Sequence, residues 1–232
     1  HGAGGNHLSW WQQVPHFRRR HTCVVFDHRG FGLSLEPEGG PGGAAFADDL
    51  RALLDHLGIA RCALVAQSMG GWTSLAFARA DPERVERLVM CDTVGGLRTP
   101  AIDAAMAGTA ALYAQLPPGV HPAAGVRMFE EQPELHFLYL EIAALSPERT
   151  PQQLWAMLSA AGAPAVDDVR ALTMPVLFLA GDEDIVIPPA ILEEAAGYFP
   201  DARFVRVPRA GHSVYFERAA EFNELVERFL QA

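Results

Sequence analysis

A buried strand that turns abruptly into a helix, within residues 62–78, constrains the fold of this chain more than any other feature. The chain is apolar from Cys62 to Ala66, and a helix-like run, M-G-G-W-T-S-L-A-F-A, follows Ser68. An apolar run without alternation is typical of a strand that is covered on both faces, as in parallel sheets. Ser68 therefore lies at a strand-to-helix corner, where the small residues Ala66 and Gly70 leave room for the crowded backbone.

A serine at such a corner is exposed at the end of the sheet, where its hydroxyl can react. The backbone N–H of Met69, at the start of the helix, would point to the place where an oxyanion forms. A small-x-Ser-x-Gly pattern occurs by chance in about one chain in ten of this length, given ordinary residue frequencies. The assignment therefore depends on what the rest of the chain supplies.

The chain alternates between predicted strands and helices on both sides of this corner. Short apolar runs predict strands at residues 22–27, 85–91, 175–180 and 204–207, the first of them buried on both faces. Apolar residues at helical spacing predict a helix at 45–57, ended by Gly58, and another at the carboxyl end of the chain. Strands and helices that alternate in this way indicate an α/β fold with a parallel sheet.

Residues 95–165 interrupt this alternation and are predicted to be an insertion of short helices. The segment is rich in alanine and is broken by several prolines. Residues 1–94 and 166–232 would then form the core of the protein. We expect most of the large apolar side chains of the insertion to face the protein interior: Met106, Met128, Phe129, Phe137, Tyr139, Trp155 and Met157.

Composition excludes several classes of function. The net charge of −10 would repel nucleic acids and anionic membranes, and no apolar run reaches the 18 residues of a membrane span. The sequence contains no lysine, which excludes a Walker-type phosphate loop and Schiff-base chemistry. We expect a small-molecule substrate, with no nucleic acid or membrane as partner; a homo-oligomer is compatible with the sequence.

The three cysteines and the histidines show no spacing typical of a metal site, so we expect no bound metal. Cys23, Cys62 and Cys91 lie in or beside apolar runs and are odd in number. We interpret them as buried free thiols in a reducing compartment, which favours a cytoplasmic location.

A serine nucleophile needs a histidine base, and that base needs a carboxylate to orient it. His212 follows the last predicted strand, where a parallel sheet gathers its functional side chains. Three carboxylates also follow strands and remain candidates for the partner of the histidine: Asp92, Asp182 and Asp184.

Several of these motifs resemble those of the α/β-hydrolase family. A-Q-S-M-G-G resembles its nucleophile elbow, G-x-S-x-G, with Ala66 in place of the first glycine, and D-H-R-G-F-G-L-S resembles a second family loop. The run G-D-E-D-I-V-I-P matches the family pattern G-x-x-D-x-x-x-P, which selects Asp184. The order Ser68, Asp184, His212 is that of the family's catalytic triad.

The first residues, H-G-A-G-G-N, resemble the family's oxyanion loop, which implies that Ala3 and Met69 donate N–H groups to the oxyanion. In the family this loop follows the third strand of the sheet. That strand would lie between the segment at 22–27 and the strand before Ser68. We therefore expect the first three strands to be missing from this sequence, leaving two strand edges that face a gap.

The resemblance implies a mostly parallel, twisted sheet with helices on both faces and a helical cap at 95–165. It also implies a serine hydrolase, without cofactor, that cleaves a small ester, lactone or related carbonyl compound. Members of the family also include perhydrolases and C–C bond hydrolases. The latter usually carry tryptophan after the catalytic histidine, where Ser213 stands here. The alternative to an enzyme is a binding protein, namely a small-molecule receptor that keeps the hydrolase fold.

Overall fold

The computed structural model describes all residues from 1 to 232 and contains one sheet of four parallel strands. The strands are β1 (Cys62–Gln67), β2 (Val85–Cys91), β3 (Val176–Gly181) and β4 (Ala202–Val207). They lie side by side in chain order. Four predicted strands are thus confirmed, and their carboxyl ends meet at one edge of the sheet.

Twelve α-helices surround the sheet. In chain order they are α1 (Gln13–Phe17), α2 (Phe46–His56), α3 (Gly70–Ala80), α4 (Pro100–Ala107), α5 (Thr109–Tyr113), α6 (Gly125–Glu131), α7 (Pro133–Ala143), α8 (Pro151–Ala160), α9 (Val166–Arg170), α10 (Pro189–Ala196), α11 (Val214–Glu217) and α12 (Ala219–Gln231). Short 3-10 helices lie at His7–Trp10, Gly42–Ala45 and Pro82–Arg84.

The core lies on both faces of the sheet, because successive side chains of a strand point to opposite faces. Leu88 and Met90 of β2 pack with side chains of α2, α3 and α10 on one face. Val89 and Cys91 pack with side chains of α11 and α12 on the other face. All four are fully buried, which explains why β2 is apolar over consecutive positions instead of alternating.

Six helices, α4 to α9, lie between β2 and β3, and the first five of them fall within residues 95–165, the predicted insertion. It contacts loops at the carboxyl edge of the sheet. The hydroxyl of Ser213 donates to the carbonyl of Ala123 at 2.7 Å, and Arg127 forms an ion pair with Glu183 at 2.7 Å. The insertion is therefore attached to the same edge at which the predicted functional residues lie.

The prediction of a strand at residues 22–27 is wrong. This segment forms no strand, and Val24 and Val25 are 39% and 38% exposed instead of buried. The physical reason is that a strand needs a hydrogen-bonding neighbour, and β1 pairs only with β2. A cleft of about 500 Å³ lies between the segment and β1. Its walls include Cys23, Val25 and Phe26 on one side and Ala63 and Val65 on the other.

Two expectations about burial also need correction. Only Cys91 is a buried thiol, whereas Cys23 and Cys62 are partly exposed beside the cleft. Met128 and Tyr139 of the insertion are buried as expected, but three other aromatic side chains of the insertion are exposed: Phe129, Phe137 and Trp155. None of the helices combines the length and the apolar character that crossing a membrane requires.

Candidate active site

Ser68 lies in a sharp turn between β1 and α3 and has a strained backbone. Its φ of 48° lies in the left-handed region, which non-glycine residues seldom adopt. The turn is held because the N–H of Ser68 donates to the carbonyl of Cys91 at 3.0 Å, while its own carbonyl accepts from Gly71 at 2.9 Å. The predicted strand-to-helix corner is thus observed, and its strain presents the hydroxyl at the end of the sheet.

His212 follows β4 and contacts both predicted partners. Its Nε2 lies 2.9 Å from Oγ of Ser68, and its Nδ1 lies 2.8 Å from Oδ2 of Asp184. The imidazole is buried, as is the carboxylate. The structure therefore brings the three residues together in the order hydroxyl, imidazole, carboxylate, although they are far apart in the sequence.

Asp184 is fixed by the loop that follows β3. Its Oδ1 accepts hydrogen bonds from the N–H groups of Val186 and Ile187 at 2.7 and 3.0 Å, which leaves Oδ2 for His212. The neighbouring Asp182 is exposed and forms an ion pair with Arg206 at 2.6 Å. Of these two carboxylates, only that of Asp184 contacts the histidine.

Asp92, the third candidate, is buried close to the site but bonds to main chain instead of to His212. Its two oxygens accept from the N–H groups of Gly181 at 3.0 Å and Val214 at 3.2 Å. Burial, followed by the charge of Asp184, raises the pKa of Asp92 to about 7. Asp92 thus helps to hold together the two loops that carry Asp184 and His212.

The charge state of His212 depends on two opposing effects. Burial lowers its pKa because an imidazolium ion is poorly solvated in the interior, but the carboxylate of Asp184 raises it by attraction and by a hydrogen bond. The net result is a raised pKa. An imidazole poised in this way can accept a proton and then hold it as a cation beside Asp184.

The first residues of the chain lie against the serine. A Cβ atom added at Gly2 would lie 3.2 Å from Cβ of Ser68 and would collide with Oε1 of Gln67 at 2.1 Å, so this close approach requires glycine. Ala3 packs against the buried cluster of Phe31, Phe46 and Met69. The N–H groups of Ala3 and Met69 donate no hydrogen bond within the protein. A donor of an oxyanion hole must be free of partners in this way, and the assignment of the two groups to that role stays a prediction.

Two residues that sequence reasoning missed hold the main chain around His212. Nε2 of Gln67 donates to the carbonyl of His212 at 2.7 Å. The carboxylate of Glu217 accepts from the N–H groups of Gly211 and Ser213. Gln67 could have been suspected from its place beside Ser68. Nothing in the sequence around Glu217 indicated its contact.

His28, in the D-H-R-G-F-G-L-S loop, bonds to Thr73 of α3 and not to Ser68. No group of three or more His, Cys, Asp or Glu side chains is arranged to hold a metal ion. The large cleft beside β1 is not lined by Ser68, Asp184 or His212. The candidate site is therefore the carboxyl edge of the sheet, with no metal-binding cluster among its side chains.

Comparison with known proteins finds similarity over nearly the whole chain. The family model for the alpha/beta hydrolase fold matches residues 1–219. A putative carbamate hydrolase RutD from Caulobacter sp. (strain K31) is 28% identical, over 99% of this chain and 88% of the relative. 3-Oxoadipate enol-lactonase 2 from Acinetobacter baylyi is 29% identical, over 98% of this chain and 85% of the relative.

Solved structures show the same fold. A thermophilic esterase from Thermogutta terrifontis, solved with malate bound, superposes with a TM-score of 0.77 at 28% sequence identity. The match covers 97% of this chain and 85% of the esterase chain. The similarity thus extends over nearly the whole chain and is not confined to the serine motif.

Proposed function

The chain belongs to the α/β-hydrolase family, and we propose that it is a serine hydrolase that cleaves small carbonyl compounds through an acyl-enzyme. The observation that carries this proposal is the continuous contact from Ser68 through His212 to Asp184, with distances of 2.9 and 2.8 Å. Serine hydroxyl is a weak nucleophile at neutral pH and needs such a base.

In the proposed reaction, Oγ of Ser68 attacks the carbonyl carbon while Nε2 of His212 takes the hydroxyl proton. Asp184 keeps the proton of the neutral imidazole on Nδ1 and stabilises the imidazolium that forms. The tetrahedral intermediate collapses, and His212 gives the proton to the leaving group. Water activated by His212 then attacks the acyl-enzyme, which releases the acid and restores the Ser68 hydroxyl.

The N–H groups of Ala3 and Met69 are proposed to stabilise the oxyanion of both tetrahedral intermediates. Their freedom from other hydrogen bonds supports this role. Loss of one such donor typically raises the barrier by about 3 kcal/mol. Backbone donors on a glycine-lined loop and at a helix start cost little reorganisation during the reaction.

We propose a small ester or lactone as the substrate. The names of the relatives specify a carbamate hydrolase, an enol-lactonase and an esterase. Carbamates, lactones and esters all present a carbonyl carbon attached to a leaving oxygen or nitrogen, which is the group that this triad would attack. Residues 95–165 would cover the site as a cap, since Ser213 and Glu183 contact them beside His212 and Asp184.

The test is turnover of p-nitrophenyl acetate, p-nitrophenyl butyrate and a simple δ-lactone by the purified chain. We expect hydrolysis that is abolished in Ser68→Ala and retained in Ser159→Ala, which removes an exposed hydroxyl on α8. Equal turnover by the wild type and Ser68→Ala would refute the proposal. Ligand binding without turnover of any of the three compounds would favour a receptor.

A further inference from the structure

The main chain around His212 is held by side chains at four consecutive residues. The N–H groups of Gly211 and Ser213 donate to Glu217 at 2.9 and 3.1 Å. The carbonyl of His212 accepts from Gln67, and the N–H of Val214 donates to Asp92. The two bonds to Glu217 are distinctive because one carboxylate binds the residues on both sides of the histidine.

From this geometry we infer that Glu217 is a positioning residue, whose carboxylate fixes the backbone of His212 so that the imidazole reaches Ser68 and Asp184 together. The inference rests on the proposed function, because it assigns to His212 the part of the base. Glu217 forms no hydrogen bond with the imidazole. It binds the peptide N–H groups of Gly211 and Ser213, and its charge is also a minor cause of the raised pKa of His212.

The close approach of the carboxylate depends on local sequence. Glu217 ends the single turn of α11, so its side chain folds back over the loop that precedes this helix. A Cβ atom at position 211 would lie 3.2 Å from Oε1 of Glu217, which is tighter than ordinary packing, so glycine permits the contact. A carboxylate can accept from two N–H groups at once, whereas a glutamine side chain has only one accepting oxygen.

The burial of Glu217 argues against a role in stability alone. Its side chain is 5% exposed and forms no ion pair with any basic residue. Burial raises the pKa of Glu217 to about 7, so keeping it ionised in the folded protein costs free energy. Such a cost is expected where a group is needed to hold a reacting side chain in a narrow range of positions.

The test compares Glu217→Gln with Glu221→Gln, which alters an exposed glutamate on the adjoining α12. In Glu217→Gln one N–H flanking His212 loses its acceptor. We expect kcat for p-nitrophenyl acetate to fall at least about tenfold while KM changes less than about twofold, since about 1.4 kcal/mol of lost orientation gives a factor of ten. Glu221→Gln should leave both constants unchanged.

A second measurement does not depend on turnover. The proton between Nδ1 of His212 and Asp184 should give a downfield proton NMR signal in the wild type and in Glu221→Gln. We expect this signal to be broadened or lost in Glu217→Gln. If the wild type hydrolyses nothing but this signal depends on Glu217, the proposed function fails and the positioning role stands.

The inference is overturned if Glu217→Gln keeps kcat within twofold and keeps the downfield signal, even if its melting temperature falls. If Glu217→Gln does not fold, Glu217→Asp and the wild type are measured instead.

Glu217→Asp should lower kcat more than KM, because the shorter side chain cannot reach both N–H groups. In the wild type, the amide protons of Gly211 and Ser213 should exchange about a hundredfold more slowly than those of exposed loops. Unprotected amides would overturn the inference.

Discussion

The loops that carry Ser68, Asp184 and His212 are held in a different way from the helical insertion above them. Buried hydrogen bonds to main-chain groups fix the three loops, such as those from Val186 and Ile187 to Asp184. The insertion packs Met128 and Tyr139 into the core. It is also joined to the same edge by exposed ion pairs, among them Arg127 with Glu183.

This difference separates two tasks. Losing the partner of a buried polar group is costly, whereas exposed ion pairs contribute little and are screened by salt. The loops can therefore keep the reacting atoms in place, whereas the ion pairs between the insertion and this edge can be broken at small cost. Substitutions in the loops should therefore lower kcat by large factors. Substitutions at the insertion should change KM by small factors.

The largest expected effect follows from removal of the base. In His212→Gln nothing takes the proton of Ser68, so kcat should fall by about 10⁵-fold, as expected when one member of a triad is lost. Steady-state hydrolysis of p-nitrophenyl acetate measures this. His56→Gln, which changes an exposed histidine on α2, is the control and should be fully active. If kcat of His212→Gln falls by less than tenfold, the contrast between the three loops and the insertion has no basis.

Replacement of the carboxylate should have the next largest effect. Asp184→Asn offers Nδ1 an amide that favours the wrong tautomer of His212, so kcat should fall by about 10³- to 10⁴-fold. The matched control is Asp182→Asn, two residues earlier, whose exposed carboxylate pairs only with Arg206. Equal losses in the two variants would mean that the loop, and not the contact with His212, matters.

The buried carboxylates beneath the loops should make stability depend on pH. The pKa values of Asp92 and Glu217 are both raised to about 7 by burial, above their ordinary values of 3.8 and 4.5. A carboxyl whose pKa is higher in the folded state stabilises it at low pH, and this contribution is lost as the pH rises through 7. The free energy of unfolding should therefore decrease between about pH 4 and 7.

Each of these two groups can add a slope of up to about 1.4 kcal/mol per pH unit. Urea unfolding at several pH values measures how the free energy of unfolding changes with pH. The slope should be smaller in Asp92→Asn, because that variant lacks one of the two titrating carboxyls. The raised pKa of His212 acts in the same direction and remains in the variant. An unchanged slope in Asp92→Asn would show that Asp92 does not titrate in this range.

The smallest effect is expected at the insertion. Arg127→Gln breaks the ion pair of α6 with Glu183 and the pair with Glu131 within α6, so KM should rise about twofold to threefold with kcat nearly constant. Added salt should raise KM of the wild type but not of the variant. Arg170→Gln, whose partner Asp167 lies on the same helix, is the control. A fall of kcat by more than tenfold in Arg127→Gln would abolish the distinction between the two regions.

The sequence predicted those parts of the molecule that depend on local pattern. The corner at Ser68 could be predicted because small neighbours and an apolar strand lie within a few residues of it. The segment at 22–27 could not, since its apolar run is that of a strand but β1 lies across a cleft from it.

Contacts that depend on distant main chain were also beyond the sequence. The hydrogen bonds of Gln67 and Glu217 around His212 involve peptide groups, which every residue carries, so no side-chain pattern marks them. The residues alone left three candidates for the carboxylate partner of His212, namely Asp92, Asp182 and Asp184. The family pattern was needed to select Asp184. The structure places that side chain, and neither of the others, at hydrogen-bonding distance from the imidazole.

The most direct test of the account is covalent labelling of the wild-type chain with a fluorophosphonate, followed by peptide mass spectrometry. We predict one adduct, on the peptide that contains Ser68, which is absent from Ser68→Ala and forms at least about a hundredfold more slowly in His212→Gln, because the base activates the hydroxyl. An unlabelled Ser68, an adduct on another residue, or equal labelling rates with and without His212 would contradict the account.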